Sequence, residues 1–532
     1  MQSIRILDCT LRDGGYVNDW NFGLGTIESI ISRLDKAGID IVEIGFLDER
    51  RTYDENRSIL PDTESIKPIF KNLDVQNAMI LAMIDYGTCG IEALTEQKDS
   101  VLDGIRVIFK KKDYPEALKF CAEIKKKGYK LFLQPVSVTG YSDTEMKALL
   151  KEVNKIGPYG ISIVDTYGLM HKKEMMHYFD LMNDHLNDDI LIGYHSHNNF
   201  QLAYANCTEL MAMDSRRQLI VDGSLYGMGK SAGNACTELL AMHVNENYGG
   251  KYNIDQILEA IDVDIMKEYS KKYWGYSLKH FMAASNDCHP DYVSNLLDKK
   301  TLSVKSINEI ITQIEPDKKL TFNRDIMETL YRDYQNNIID DSAAYATLKA
   351  ELGERDILIL APGKSIEVQA GQIRDFIQKK KPVLITINFV NDDYSPDYVF
   401  MGNAKRYSQF FNKIYGKEHD MKVICTSNVS EANKKIDYRF NFGTLVMEDT
   451  LIRDNPVLML LKILVKMNYQ KAYIAGFDGY SFDDTKNYPK EYIQFLFCDD
   501  NVVLRNEAVK KTLALIGKDI RLHFLTPTLY AE

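Results

Sequence analysis

Two histidines one residue apart, His195 and His197, lie in His195-Ser196-His197-Asn198-Asn199, directly after the apolar run Ile190–Tyr194. Alternate residues of a strand share a face, so the two imidazoles point the same way. Imidazole is the commonest protein metal ligand. An H-x-H pair alone is equally compatible with two ordinary polar histidines. Two other segments offer it partners. The run Ile4–Asp8 ends in Asp8-Cys9-Thr10-Leu11-Arg12-Asp13-Gly14-Gly15, where Asp13 offers a hard oxygen. The run Leu219–Val221 continues through Asp222 into a glycine-rich loop ending in Asn234, which offers a neutral oxygen. Two imidazoles, a carboxylate and an amide, with no thiolate, suit Mn²⁺, Mg²⁺ or Fe²⁺ better than structural zinc, and Mn²⁺ is the first expectation.

These residues can converge only if the fold brings their segments together. Short apolar runs at Ile4–Asp8, Ile39–Gly45, Ala78–Met83, Gly104–Phe109, Lys130–Pro135, Gly160–Val164, Ile190–Tyr194 and Leu219–Val221 read as strands buried on both faces. Amphipathic stretches separate them, among them Thr26–Ala37, Tyr114–Lys127, Asp143–Ile156, Lys172–Leu186 and Gln201–Met213. Eight strand–helix units in about 250 residues predict a (β/α)8 TIM barrel, with an open doubly wound sheet as the rival. In a closed barrel only strand 8 separates strands 1 and 7. Residues just C-terminal to each strand share the active face. Asp13, His195, His197 and Asn234 all meet that rule.

The chain has 532 residues, too long for one ordinary domain. The expected division is residues 1–252 as the barrel, 253–352 as a helical extension and connector, and 353–532 as a Rossmann-like α/β domain. Ile265–Lys279 and Ser303–Glu315 read as helices of the connector. Asp356–Leu360, Val383–Asn388, Tyr398–Met401, Lys422–Thr426 and Lys471–Phe477 read as strands of the last domain. A hydrophobic content of 45% with 27% charged residues predicts a packed protein, and a net charge of −11 argues against a nucleic-acid partner. No apolar run is long enough to span a membrane. Eight scattered cysteines and no recognisable secretory signal lead to the expectation of a cytoplasmic protein with reduced thiols.

Arg12-Asp13-Gly14 after strand 1, His195-x-His197-Asn198 after strand 7 and the loop Gly227-Met228-Gly229…Ala232-Gly233-Asn234 resemble the DRE-TIM metallolyases. That superfamily contains 4-hydroxy-2-oxovalerate aldolase, hydroxymethylglutaryl-CoA lyase and isopropylmalate synthase. The loop is most similar to that of 4-hydroxy-2-oxovalerate aldolase. The resemblance implies a lyase or aldolase that makes or cleaves a carbon–carbon bond between a 2-oxo acid, pyruvate first, and an aldehyde. It implies metal ligation by Asp13, His195 and His197 with Asn234 fourth, and Arg12 over the enolate oxygen. It implies 2-oxo acid binding near Thr166 and an acid, Glu43, at the end of strand 2. Strand 6 offers no lysine for Schiff-base chemistry. Two departures stand out. Tyr16 occupies the place of the aldolases' catalytic His, and the Cys of the hydroxymethylglutaryl-CoA lyases is missing between Tyr226 and Gly233. Tyr16 is therefore a candidate proton carrier, although an ordinary phenol near pKa ~10 is a poor base at neutral pH. Lys110, after strand 4, is a candidate for an anionic substrate group or a solvated turn. The alternatives are a Claisen-type synthase using an acyl-CoA, and a non-catalytic barrel serving as a scaffold for the last domain.

In that last domain a strand runs into Ala361-Pro362-Gly363-Lys364-Ser365. The turn lacks Walker A spacing. It resembles the G-x-S loop of a Rossmann-like group with pterin pyrophosphokinase-like proteins and some sialyltransferases. That resemblance implies a nucleotide or sugar nucleotide near Gly363 and Ser365. The remaining expectation is a homo-oligomer.

Overall fold

The computed structural model describes residues 3–319, 322–390, 393–416, 421–429, 436–483, 486–488 and 501–531. It divides into two compact units, Met1–Pro290 and Asp291–Glu532. The first unit carries strands β1 (Ile4–Asp8), β2 (Ile41–Leu47), β3 (Met79–Asp85), β4 (Gly104–Phe109), β5 (Lys130–Pro135), β6 (Gly160–Asp165), β7 (Leu191–Ser196) and β8 (Leu219–Gly223). They pair in parallel, in chain order, and β8 and β2 both pair with β1, so the sheet closes on itself. A two-residue strand, Ile59–Leu60, lies against β2. The first unit is the expected TIM barrel, and the eight strands lie within a few residues of the expected runs.

Local sequence accounts for the elements. Strand β2 is buried along its whole length, as a strand sandwiched between the barrel interior and a helical layer must be. Helix α1 (Asp143–Ile156) starts at Ser142, whose side chain accepts from the Glu145 backbone N–H while Glu145 reciprocates. Its buried residues Met146, Leu149, Leu150 and Val153 recur at helical spacing and face the sheet. Ser142→Ala would cost about 1 kcal/mol.

Inside the barrel the two-residue alternation of strands builds two layers. Leu7, Ile41, Leu81, Phe132 and Ile220 form an apolar floor. Two residues further along their strands stand Glu43, Met83, Gln134 and Asp222, joined by Arg106, which pairs in register with Met83. Gln134 Nε2 donates to Ser162 Oγ at 2.7 Å. The polar layer therefore sits on the side where the strands end.

The stretch read as one helix over Ile265–Lys279 is broken. A helix ends at Lys271, Lys272 is extended, and a new helix covers Leu278–Ser285. The Trp274 indole N–H donates to the Tyr226 carbonyl at 2.9 Å, which anchors the break to the loop after β8. Helical segments of the 253–352 stretch fall in both units, with the division at Pro290.

The second unit contains a seven-stranded parallel sheet of β9 (Ile357–Leu360), β10 (Val383–Ile387), β11 (Tyr398–Met401), β12 (Lys422–Thr426), β13 (Tyr438–Phe440), β14 (Lys471–Ala475) and β15 (Arg521–Phe524). Its order is β13-β12-β11-β10-β9-β14-β15. The order runs outward from β9 in both directions, which creates a switch point between β9 and β14. Apolar clusters around Leu461 and Ile359 and around Leu360 and Tyr407 make up its core. Among the described residues no helix is long and apolar enough to cross a membrane, and the cysteines carry free thiols.

Candidate metal centre

Asp13 ends a single helical turn, Thr10–Asp13, that follows β1. His195 lies within β7, and His197 comes just beyond its end. Each of the three offers one ligand atom within 4.8 Å of the others, and all three are buried. His195 Nε2 stands 3.8 Å from Asp13 Oδ2, and His197 Nδ1 stands 4.0 Å from Asp13 Oδ1. His197 Nδ1 is buried and makes no hydrogen bond within the chain. Asn234 bridges to His197 through the backbone and donates from Nδ2 to Asp13 Oδ1 at 3.1 Å. Its Oδ1 is also buried and without a protein partner.

The neighbours orient these groups for a cation. Asp222 Oδ2 lies 3.0 Å from His195 Nδ1, which keeps the proton there and turns the Nε2 lone pair toward Asp13. Burial alone would raise the Asp13 carboxyl. The Arg12 guanidinium beside it, the foremost opposing influence, overcomes this and holds Asp13 well below the usual carboxylate range. Burial lowers the His197 imidazole to about 3, so it is neutral and able to ligate at physiological pH. A carboxylate and two imidazoles form a borderline-hard N/O set that fits a divalent ion such as Mn²⁺, Mg²⁺ or Fe²⁺.

Arg12 is 3% exposed. Its Nε donates to Glu43 Oε2 at 2.7 Å, and its Nη1 pairs with Asp13 Oδ2. Nη2 makes no hydrogen bond within the chain. Glu43 is wholly buried, and its Oε2 also accepts from Arg106 Nη1 at 3.2 Å. Arg106 in turn pairs through Nη2 with Asp222. A continuous line of buried charge thus runs Arg12–Glu43–Arg106–Asp222–His195. Arg106 and Asp222 were not anticipated as site residues. The signal for Arg106 was available: it is the one charge in the apolar run of β4. Asp222 stands two residues after the floor residue Ile220, on the same face of β8.

The other expected residues are more spread out. Tyr16 is 40% exposed, with its ring 4.8 Å from the Trp20 ring and Lys230 Nζ 5.3 Å above it. The protein packed around its phenol, with the Asp13 charge adding, pushes it up to about 12. Thr166 Oγ1 accepts the Ser137 backbone N–H at 2.9 Å beyond β6. Lys110 is exposed just after β4. In the second unit Ser365 gives its backbone N–H at 2.8 Å and its hydroxyl to the Asp478 carboxylate.

Residues 3–263 match the HMGL-like family. Similar proteins include an oxaloacetate decarboxylase from Mycobacterium tuberculosis, 26% identical over 50% of this chain and 78% of its own length. A 4-hydroxy-2-oxovalerate aldolase from Rhodococcus jostii is 26% identical over 45% of this chain and 66% of its own. Another aldolase of that name, from Chloroflexus aurantiacus, is 28% identical over 45% and 69%. Among solved structures, an HMG-CoA lyase from Brucella melitensis aligns with a TM-score of 0.39 at 14% identity, covering 49% of this chain and 96% of its own.

Proposed function

We propose that the barrel is a divalent-metal lyase that makes or breaks a carbon–carbon bond beside the carbonyl of a 2-oxo acid, pyruvate first, with an aldehyde as partner. The observation that carries this reading is the buried convergence of Asp13, His195 and His197 with the Arg12 guanidinium beside them. Cleavage of a 4-hydroxy-2-oxo acid and decarboxylation of oxaloacetate, the reactions named for relatives, both leave the enolate of a 2-oxo acid. A divalent ion held by Asp13, His195 and His197, with Asn234 as fourth ligand, would supply Lewis-acid stabilisation of that charge. Manganese is the first choice for it.

The chain's own groups divide the remaining work. Arg12 is fixed from two sides by Glu43 and Asp13, leaving Nη2 to donate to the developing oxyanion. Glu43, with Oε2 shared between two guanidiniums, holds Arg12 in position. Thr166 and Lys110, on the same face of the barrel, would receive the substrate's carboxylate and a further anionic group. Tyr16, protonated at neutral pH, donates a hydrogen bond and does not take the first proton. The buried charges around the ligands support an enzyme over a scaffold, because unneeded buried ions are costly.

The test is exchange of pyruvate methyl protons with D₂O, followed by proton NMR. It isolates enolate formation from the identity of the aldehyde. Exchange that requires Mn²⁺ and falls at least ~100-fold in Arg12→Lys is expected. Metal-independent exchange, or none in the wild type, would overturn the reading. A rate that rises only with added acetyl-CoA would point to the Claisen-type synthase.

A further inference from the structure

The second unit contains a cleft of about 410 Å³ at the carboxyl ends of β9, β10 and β14. It opens at the switch point of the sheet, where open parallel sheets take their ligands. Its volume is within the ~300–1,000 Å³ of small-molecule sites. Gly363 after β9 and Gly476 after β14 line its floor. Gly476 has φ +75°, and a Cβ there would meet the Ala361 carbonyl oxygen at 2.1 Å, so the two strand ends are locked backbone to backbone.

The walls combine cations with aromatic faces. Arg406 enters from helix α2 (Ala404–Ile414), is 6% exposed and lies 5.5 Å from the Tyr488 ring centroid. Arg505 enters from α3 (Val502–Ile516) and lies 5.3 Å from the Tyr480 ring centroid. Asn388, at the end of β10, adopts left-handed backbone at φ 55°, an unfavourable conformation of the kind that clusters at binding sites. Three acidic groups are on the lining: Asp298; Asp478, whose carboxylate is bound by the Ser365 N–H and hydroxyl; and Asp454, which lies in the field of Arg505 and Arg453.

We infer that this cleft binds a phosphorylated ligand carrying a planar ring, the chemistry of a nucleoside diphosphate. The guanidiniums of Arg406 and Arg505 supply directional donors to phosphate oxygens. The tyrosine rings supply a stacking surface for a base. Among the two residues of the Gly363–Ser365 turn singled out from the sequence, Gly363 lines the cleft, while Ser365 is turned to Asp478. This site is independent of the barrel chemistry.

The test uses the full chain and four probes, ADP, GDP, CDP and UDP, with the matching nucleosides and pyrophosphate as controls, in saturation-transfer NMR and calorimetry. At least one diphosphate should bind more tightly than both its nucleoside and pyrophosphate. Arg406→Gln should weaken that binding at least about tenfold. Arg406 is buried, so a second variant guards against misfolding: Thr450→Trp places a bulky ring at the exposed rim of the cleft and should weaken binding without shifting the melting temperature. Pyruvate exchange by the barrel should be unchanged in both. Failure of all four diphosphates to bind, pyrophosphate binding as well as any of them, or unaltered binding in Thr450→Trp would overturn the inference, whatever the barrel does.

Discussion

Replacing Asp222 with Asn tests whether the buried charge line sets the metal affinity of His195. In the wild type, Asp222 is 1% exposed, lies 3.0 Å from His195 Nδ1 and pairs with Arg106. The variant removes the charge that orients His195 and strengthens its Nε2 as a ligand. Loss of such a supporting carboxylate costs 10–100-fold in metal affinity, or about 1.4–2.7 kcal/mol. It also removes one of the two carboxylates around Arg106. Breaking a buried pair outright costs about 3–5 kcal/mol. Because Glu43 still accepts from Arg106 at 3.2 Å, the lower end applies, and the barrel should melt about 6–10 °C earlier. Arg106→Met separates the two effects. It also destabilises, but it leaves the Asp222–His195 contact intact and makes the interior more negative, so Mn²⁺ affinity should not fall. Free Mn²⁺ measured by EPR during titration, beside thermal melts, reads both quantities. Affinity within twofold of wild type in a folded Asp222→Asn protein, or an equal loss in Arg106→Met, would refute the orienting role.

Three further outcomes follow from the same geometry. Gly229→Ala should weaken Mn²⁺ binding at least ~10-fold without altering any ligand, because its Cβ would meet Asn234 Nδ2 at 2.2 Å and Asp13 Oδ1 at 2.6 Å; unchanged binding by EPR would contradict the tight packing of the loop on the site. Tyr16→Phe should keep most of the metal-dependent pyruvate exchange, and its loss with metal still bound would make the phenol the base. Burial pushes the Asp8 carboxyl up to about 6, so its neutral form stabilises the fold below about pH 4, and that contribution is lost as pH rises through 6. Asp8→Asn should therefore gain about 2–3 kcal/mol relative to wild type between pH 4 and pH 7.5 in denaturant melts, and parallel pH curves would contradict the shift.

Much of the barrel was legible because its strands are continuous apolar runs with glycine or polar ends, such as Gly104–Phe109 and Lys130–Pro135. The same rule of strand ends drew attention to Asp13, His195, His197 and Asn234. Three features were less visible, each for a physical reason. Arg106 and Asp222 belong to the interior layer, and although the lone charge of β4 marks Arg106, its partners Glu43 and Asp222 lie 63 and 116 residues away, so no local pattern names the members of the charge line. The break after Lys271 depends on a tertiary contact between Trp274 and Tyr226 that overrides local helix preference. Strands β13 and β15 are short sheet edges, and β15, Arg521–Phe524, is only partly buried, so neither reads as an apolar run. In the second unit the five expected strands, Asp356–Leu360 to Lys471–Phe477, are present, while the pairing of Ser365 with Asp478 joins positions 113 residues apart.

The most direct measurement is the metal content of the purified chain, loaded with Mn²⁺ and dialysed, beside His195→Ala treated identically. The account predicts one tightly held ion per chain in the wild type and none retained in the variant, with both proteins folded. Full occupancy in His195→Ala would contradict a centre built on Asp13, His195 and His197.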